Sequence, residues 1–219
     1  MASRPKQATP RPAPRLYLIT PPISDASAFS VHLNTAMEAG DVAAVLLRLT
    51  DSDERTLINR AKAIAALVQD RDAALLLDGR VELVARSGAD GAHLTGIATF
   101  TEALADLRPE RIAGAGGLMT RHDTMLAAEQ GADYVMFGEP DTTDARPSFD
   151  AVEERIAWWA EVFESPCVGY AASLDDVAPL VAAGADFIAL GDFLWRDPHA
   201  IKATTTEASR LLRMPEPAA

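Results

Sequence analysis

The side chains best suited to chemistry stand at or just past the ends of short apolar runs. They are Thr20, Arg48, Asp78, His93, a glycine-rich stretch at 114–117, a polar segment opening at Glu139, Tyr170 and Asp192. Arg48 can hold an anion, although in an acidic chain a surface ion pair is an equal use for it. His93 can move a proton, while a single histidine is more often a hydrogen-bonded structural residue. Backbone N–H groups at 114–117 can cradle an anion, and a tight strand-to-helix turn explains the same glycines equally well. Asp192 is placed to cap a short helix, its carboxylate taking N–H groups that a phosphate would otherwise use. His32, His122 and His199 show no metal-ligand spacing, and the sequence has no cluster of cysteine and histidine.

One phrase organises the elements that must position these residues. Gly88-Ala89-Asp90 returns as Gly131-Ala132-Asp133 and as Gly184-Ala185-Asp186, and Ala39-Gly40-Asp41 is a looser first copy. Each copy follows an alanine-rich amphipathic run and opens a short apolar one. Glycine there supplies the left-handed residue that ends a helix, and the aspartate favours the turn by bonding nearby backbone. The apolar run that follows reads as a strand buried on both faces, and strands alternating with helices make a parallel sheet. The pattern predicts strands at 16–20, 42–49, 73–77, 91–94, 111–115, 134–137, 167–170 and 187–190. Helical spacing fills the intervals, ending in a short turn at 193–195 and a last helix at 198–212. Eight such units in a chain of this length is the count of a single (β/α)8 TIM barrel, an α/β fold whose working face lies where the strands end. An open doubly wound sheet has fewer strands and no reason to repeat one turn so evenly. The barrel domain spans 15–213, between a proline-rich lead-in, 1–14, expected to be disordered, and a tail, 214–219, expected to fray.

Composition narrows the partners. A formal net charge of −12 repels phosphate backbones and anionic lipid, so nucleic acid and membrane surfaces are poor partners. No apolar stretch approaches the length needed to cross a bilayer, and the start lacks the hydrophobic core of a secretory signal. One cysteine, Cys167, permits no internal disulfide and fits a reducing cytoplasm; at the start of a buried strand it reads as packing. Trp158 and Trp159 are adjacent on one helix, so one must face outward or into a partner, and a helix-mediated homodimer is the resulting hypothesis.

From Leu16 to about Pro198 the sequence resembles the thiamine phosphate synthase and TenI family. The matching phrases are Leu16-Tyr17-Leu18-Ile19-Thr20, Gly79-Arg80-Val81-Glu82-Leu83, Gly88-Ala89-Asp90-Gly91-Ala92-His93-Leu94 and Gly131-Ala132-Asp133-Tyr134-Val135-Met136-Phe137-Gly138. The resemblance implies a small TIM barrel that joins a hydroxymethylpyrimidine diphosphate to a thiazole phosphate, pyrophosphate leaving under Mg²⁺. A departing pyrophosphate concentrates negative charge, so such a site needs a carboxylate-held metal and several cationic or backbone donors.

Matched residue by residue, the chain departs from that pattern. The family's Gln-x-Arg-x-Lys after strand two is Leu46-Leu47-Arg48-Leu49-Thr50, and its Asn-Asp-Arg after strand three is Asp78-Gly79-Arg80. The second metal aspartate falls near Ala98, and the Ser-x-His after strand five falls near Gly117 and Met119. The Gly-Gly after strand seven falls on Ala171-Ala172, and the serine after strand eight is Asp192. Thr143 and Arg146 match a threonine and a lysine that touch the pyrophosphate, Arg48 is kept, and Asp78 can still contact a metal. Tyr170 would wall the pocket where glycines stood, giving a stacking surface in place of a phosphate nest. The glycine in Asp78-Gly79-Arg80 also resembles TenI, the branch that isomerises the thiazole, but the histidine used by that branch aligns near Met119. The resemblance thus implies a protein of thiamine metabolism with a degenerate magnesium and pyrophosphate site. Its ligand would be a pyrimidine- or thiazole-type small molecule, bound or altered through Arg48, Asp78, His93, Thr143, Arg146, Tyr170 and Asp192. No cofactor is expected; Mg²⁺ enters only under the alternative of an active synthase, a transferase. A non-catalytic paralogue acting in binding or assembly is the third reading.

Overall fold

The computed structural model describes residues 12–141, 143 and 145–213. Most of the lead-in, at 1–11, and the tail at 214–219 lie outside the described residues. Eight parallel strands close into a barrel in sequence order. They are β1 (Arg15–Ile19), β2 (Val42–Leu47), β3 (Ala74–Asp78), β4 (Gly91–Thr95), β5 (Ile112–Gly116), β6 (Tyr134–Phe137), β7 (Cys167–Ala171) and β8 (Phe187–Leu190). The outer ring is α1 (Ala26–Ala39), α2 (Glu54–Gln69), α3 (Val81–Ser87), α4 (Ile97–Leu107), α5 (Arg121–Glu129), α6 (Phe149–Val162), α7 (Val177–Ala182) and α8 (Ile201–Leu211). Short 3₁₀ turns at Leu174–Asp176 and Asp192–Trp195 precede α7 and α8. The α/β barrel expected from the repeat is the fold observed. Closure is made by β1 against β8, Leu16 facing Ile188 and Leu18 facing Leu190.

Side chains alternate across each strand with period two. Tyr17, Ile19, Leu46, Leu76, Met136 and Val168 fill the lumen, while Leu16, Leu18, Val45, Leu47, Leu75 and Leu77 pack beneath the helices. Both faces are therefore dry, which is why the strands read as unbroken apolar runs. Glycine placement departs from expectation at one turn. The bend predicted at 114–117 is a continuation of β5 through Gly116, and Gly117 alone turns, at φ 59°. Gly114 and Gly116 stay bare because Tyr134 occupies the space over one, and Glu139 and His93 the space over the other.

The repeated phrase is scaffolding. Gly88, Gly131 and Gly184 are left-handed, with φ of 77°, 100° and 98°. The carboxylates of Asp90, Asp133 and Asp186 accept from the backbone N–H groups of Leu75, Ala113 and Cys167 at 2.7, 2.8 and 2.8 Å. Those N–H groups open β3, β5 and β7, so each aspartate ties the entry of an even strand to the odd strand before it. In the looser first copy Asp41 takes the Arg15 guanidinium at 2.9 Å instead. Charge-assisted bonds of this kind hold the bottom of the barrel and leave the strand ends free for a site.

The two tryptophans divide between the inner and outer faces of α6. Trp159 is fully buried and stacks on Phe163 at 4.0 Å. Trp158 is half-buried, with Phe163 at 5.3 Å and the Arg121 guanidinium 4.8 Å from its ring. Phe163 and Arg121 thus cover part of the outward ring. No helix among the described residues is long and apolar enough to cross a membrane.

Candidate ligand site at the barrel mouth

Two cavities of about 390 and 370 Å³ open at the strand ends and share a wall of Met136, Glu139, Pro140 and Asp141. The first is lined by Ile19, Leu46, Arg48, Asp78 and His93; the second runs to Arg146 and Arg155. Arg48, just past β2, is the charge at the centre. Its Nε stands 3.5 Å from Asp78 Oδ2 and its Nη1 3.5 Å from Asp192 Oδ1. Burial lifts the Asp78 carboxyl above its ordinary range, against the pull of Arg48 and Arg80. Arg80 in turn pairs with Asp51.

Asp192 is not the helix cap that its position suggested. Gly191 holds the N-cap place, and no side-chain cap bond forms. A four-residue 3₁₀ turn offers few donors, and the opposite charge of Arg48 across the mouth draws the carboxylate instead. The Tyr170 ring lies against Gly191 and leaves no room for a Cβ there. Tyr170 does stack, but on Arg146, whose guanidinium lies 4.6 Å from the ring. Arg146 also donates to the carbonyls of Gly138 at 2.7 Å and Tyr170 at 3.4 Å. Thr143 is exposed on its loop, its hydroxyl and N–H both bound to Asp141, at 2.6 and 2.7 Å. The residues expected at the site therefore form two groups: Arg48, Asp78 and His93 lining the first cavity, with Asp192 paired to Arg48, and Arg146, stacked on Tyr170, lining the second. Thr143 belongs to neither.

His93 is 3% exposed and its Nδ1 lies 2.9 Å from the Tyr134 hydroxyl, which lies 2.8 Å from that of Tyr17. Tyr134 is the one hydrogen-bond partner of the Tyr17 hydroxyl among the described residues. The arrangement that uses every proton has Tyr17 donating to Tyr134 and Tyr134 to Nδ1, which assigns the histidine proton to Nε2. Burial, helped by Arg48, pulls the His93 pKa down to about 4. The ring is neutral at ordinary pH.

Glu139 was missed as a site residue, although it opens the polar segment after β6. Its carboxylate accepts from the Gly117 N–H. It stands half-buried on the wall between the two cavities, and desolvation there pushes its pKa up to about 7, with Asp78 adding to the rise and Gly117 and Arg146 opposing it. Tyr17 and Tyr134 read as core from the sequence, and only the closed barrel brings their hydroxyls together.

The two shifts act on stability in opposite directions. His93, depressed in the fold, adds stability above its ordinary value near 6.5, lost as pH falls towards about 4. Glu139, raised in the fold, adds stability below its ordinary value near 4.5, lost as pH rises through about 7. The wild-type contributions oppose each other across the shared window. Glu139→Gln is expected to uncover the His93 slope, so that urea midpoints rise with pH from about 4 to about 6.5 more steeply than in the wild type. Parallel profiles would show that Glu139 titrates alike in the folded and unfolded chain.

Residues 16–193 match the family model described as thiamine monophosphate synthase. The chain belongs to the thiamine monophosphate synthase family. It is 41% identical to the thiamine-phosphate synthase of Rhodospirillum centenum over 91% of this chain and 98% of that one. It is 39% identical to the thiamine-phosphate synthase of Hyphomonas neptunium over 86% and 89%. Its fold matches the thiamine phosphate pyrophosphorylase of Pyrococcus furiosus with a TM-score of 0.74 at 22% identity, covering 90% and 95% of the two chains.

Chemistry of the thiamine monophosphate synthase family implies Mg²⁺, a hard cation that takes carboxylate oxygens. The donors at this mouth do not fit it. Asp78 and Asp192 both face the Arg48 guanidinium, Glu139 bonds the Gly117 backbone, and positions 79 and 98 are glycine and alanine. Among the described residues no three His, Cys, Asp or Glu side chains stand close enough to hold a metal.

Proposed function

We propose that the chain binds a pyrimidine- or thiazole-type small molecule at the barrel mouth, with reduced magnesium and pyrophosphate machinery. Binding or altered chemistry, rather than full synthase turnover, is its role. The observation that carries this reading is Arg48 held 3.5 Å from both Asp78 and Asp192. A single cation flanked by two carboxylates offers a pyrophosphate little net attraction. A cytoplasmic setting belongs to the same reading and is supported by the lone buried cysteine, Cys167. The net charge of −12 argues against nucleic acid or anionic lipid as partner.

An active synthase, a transferase, is the second reading, favoured by 41% identity over 98% of a protein named thiamine-phosphate synthase. Calorimetry with hydroxymethylpyrimidine diphosphate, with and without Mg²⁺, and an assay for thiamine phosphate separate the two. The expected result is binding that does not require Mg²⁺ and no product. Mg²⁺-dependent binding with steady formation of thiamine phosphate would establish the second reading. If neither the pyrimidine nor the thiazole phosphate binds, a non-catalytic paralogue remains.

A further inference from the structure

We infer that Glu139 anchors the ring of the ligand, sharing one proton with an amidine edge, that is, a ring nitrogen beside an amino group. This rests on the reading that a pyrimidine-type ring enters the mouth, and it adds the residue that selects that ring. Glu139 follows Gly138, which turns at φ 92° and drops the carboxyl onto the wall between the two cavities. The Gly117 N–H fixes one of its oxygens. A Cβ at Gly116 would overlap Glu139 Oε1 and stand 2.5 Å from His93 Nε2, so the two side chains converge over bare backbone.

Among the described residues no arginine forms an ion pair with this carboxyl, and the charge of Arg146 reaches it only from a distance. Arg48 is spent on Asp78 and Asp192, and Arg146 turns its donors to two carbonyls and its face to Tyr170. Asp78, across the mouth, adds like charge, while His93, Tyr134 and Tyr17 are neutral. A carboxyl so placed is comfortable with a proton, and then presents one O–H donor beside one C=O acceptor. The complementary edge is an acceptor beside a donor, which an aminopyrimidine carries and a phosphate does not. Ile19, Leu46 and Met136 give a flat ring apolar contact in the same cavity.

The complex holds one proton between carboxyl and ring, whichever partner keeps it. With the free carboxyl titrating at about 7, binding above that pH must take up a proton, and affinity falls by up to about tenfold per pH unit. The probe is 4-amino-2-methylpyrimidine, with 2,4-dimethylpyrimidine as the control that lacks the amino donor. Calorimetry in buffers of different ionisation enthalpy is expected to show proton uptake, and an affinity loss of about fivefold to tenfold from about pH 7.5 to about pH 8.5. Glu139→Gln keeps the donor and acceptor without a titrating proton. It is expected to bind within about threefold of the wild type at pH near 7 and to lose the pH dependence, while Glu139→Leu weakens binding by about thirtyfold or more. Thermal melts of both variants confirm that they fold. Wild-type binding that is flat in pH and indifferent to both substitutions overturns the anchor and leaves a ring-binding mouth standing. Failure of the wild type to bind either ring overturns the mouth reading together with the anchor.

Discussion

Replacing Trp159 with alanine is expected to lower the stability of the barrel by about 3–5 kcal/mol. The indole is fully buried, stacked on Phe163 at 4.0 Å and edge-on to Phe137 at 6.0 Å. Its Nε1 donates to the Ser165 carbonyl at 2.7 Å, which would lose that partner. Two penalties therefore add: the cavity left by the ring and the unpaired acceptor. For a domain of this size the change corresponds to a fall in Tm of roughly 6–20 °C. Trp159→Phe keeps most of the packing and loses the hydrogen bond, so it is expected to cost less than half as much. Trp158→Ala, which removes a half-buried ring covered by Arg121, should cost about 1 kcal/mol. The difference matters for function because α6 begins where the loop carrying Arg146 ends, capped by Ser148. Melts in which Trp159→Ala and Trp158→Ala fall equally would contradict this division of labour across one helix.

The barrel was legible because its evidence is local. A left-handed glycine, an aspartate and an apolar run recur at the foot of three even strands, and each can be read without knowing what lies across from it. Strand-end position also identified Arg48, Asp78 and His93, because a closed barrel sends all such residues to one mouth. What those residues do there was not legible. Asp192 looks like a cap when its neighbours are the following residues, and becomes an ion-pair partner only when Arg48, 144 positions away, arrives across the barrel. Tyr17 and Tyr134, 117 positions apart, look like two ordinary core aromatics until their hydroxyls meet beside Nδ1 of His93. Glu139 acquires its character from the missing Cβ of Gly116 on the neighbouring strand and from the desolvation and like charge around it. Charge environment is a property of the closed sheet, and a linear pattern carries it poorly.

Removing the two carboxylates that flank Arg48 should have the largest effect on what the mouth can hold. In the double variant Asp78→Asn, Asp192→Asn the guanidinium keeps its place with neutral neighbours, and affinity for inorganic pyrophosphate is expected to rise about tenfold to a hundredfold at low salt. Each single variant should give a smaller part of that gain, since either remaining carboxylate still stands 3.5 Å from Arg48. Arg48→Ala in the doubly neutralised background should abolish it. The partial exposure of all three side chains means that added salt must shrink the effect, which separates a charge release from a change of shape. An active magnesium-dependent synthase requires the opposite sign. If Asp78 helped to hold the metal, Asp78→Asn would weaken pyrophosphate binding in the presence of Mg²⁺. Calorimetric titration of pyrophosphate into the wild type and these variants, with and without Mg²⁺, reads the sign directly. A double variant that binds pyrophosphate no better than the wild type would mean that something other than the flanking carboxylates keeps Arg48 from the anion.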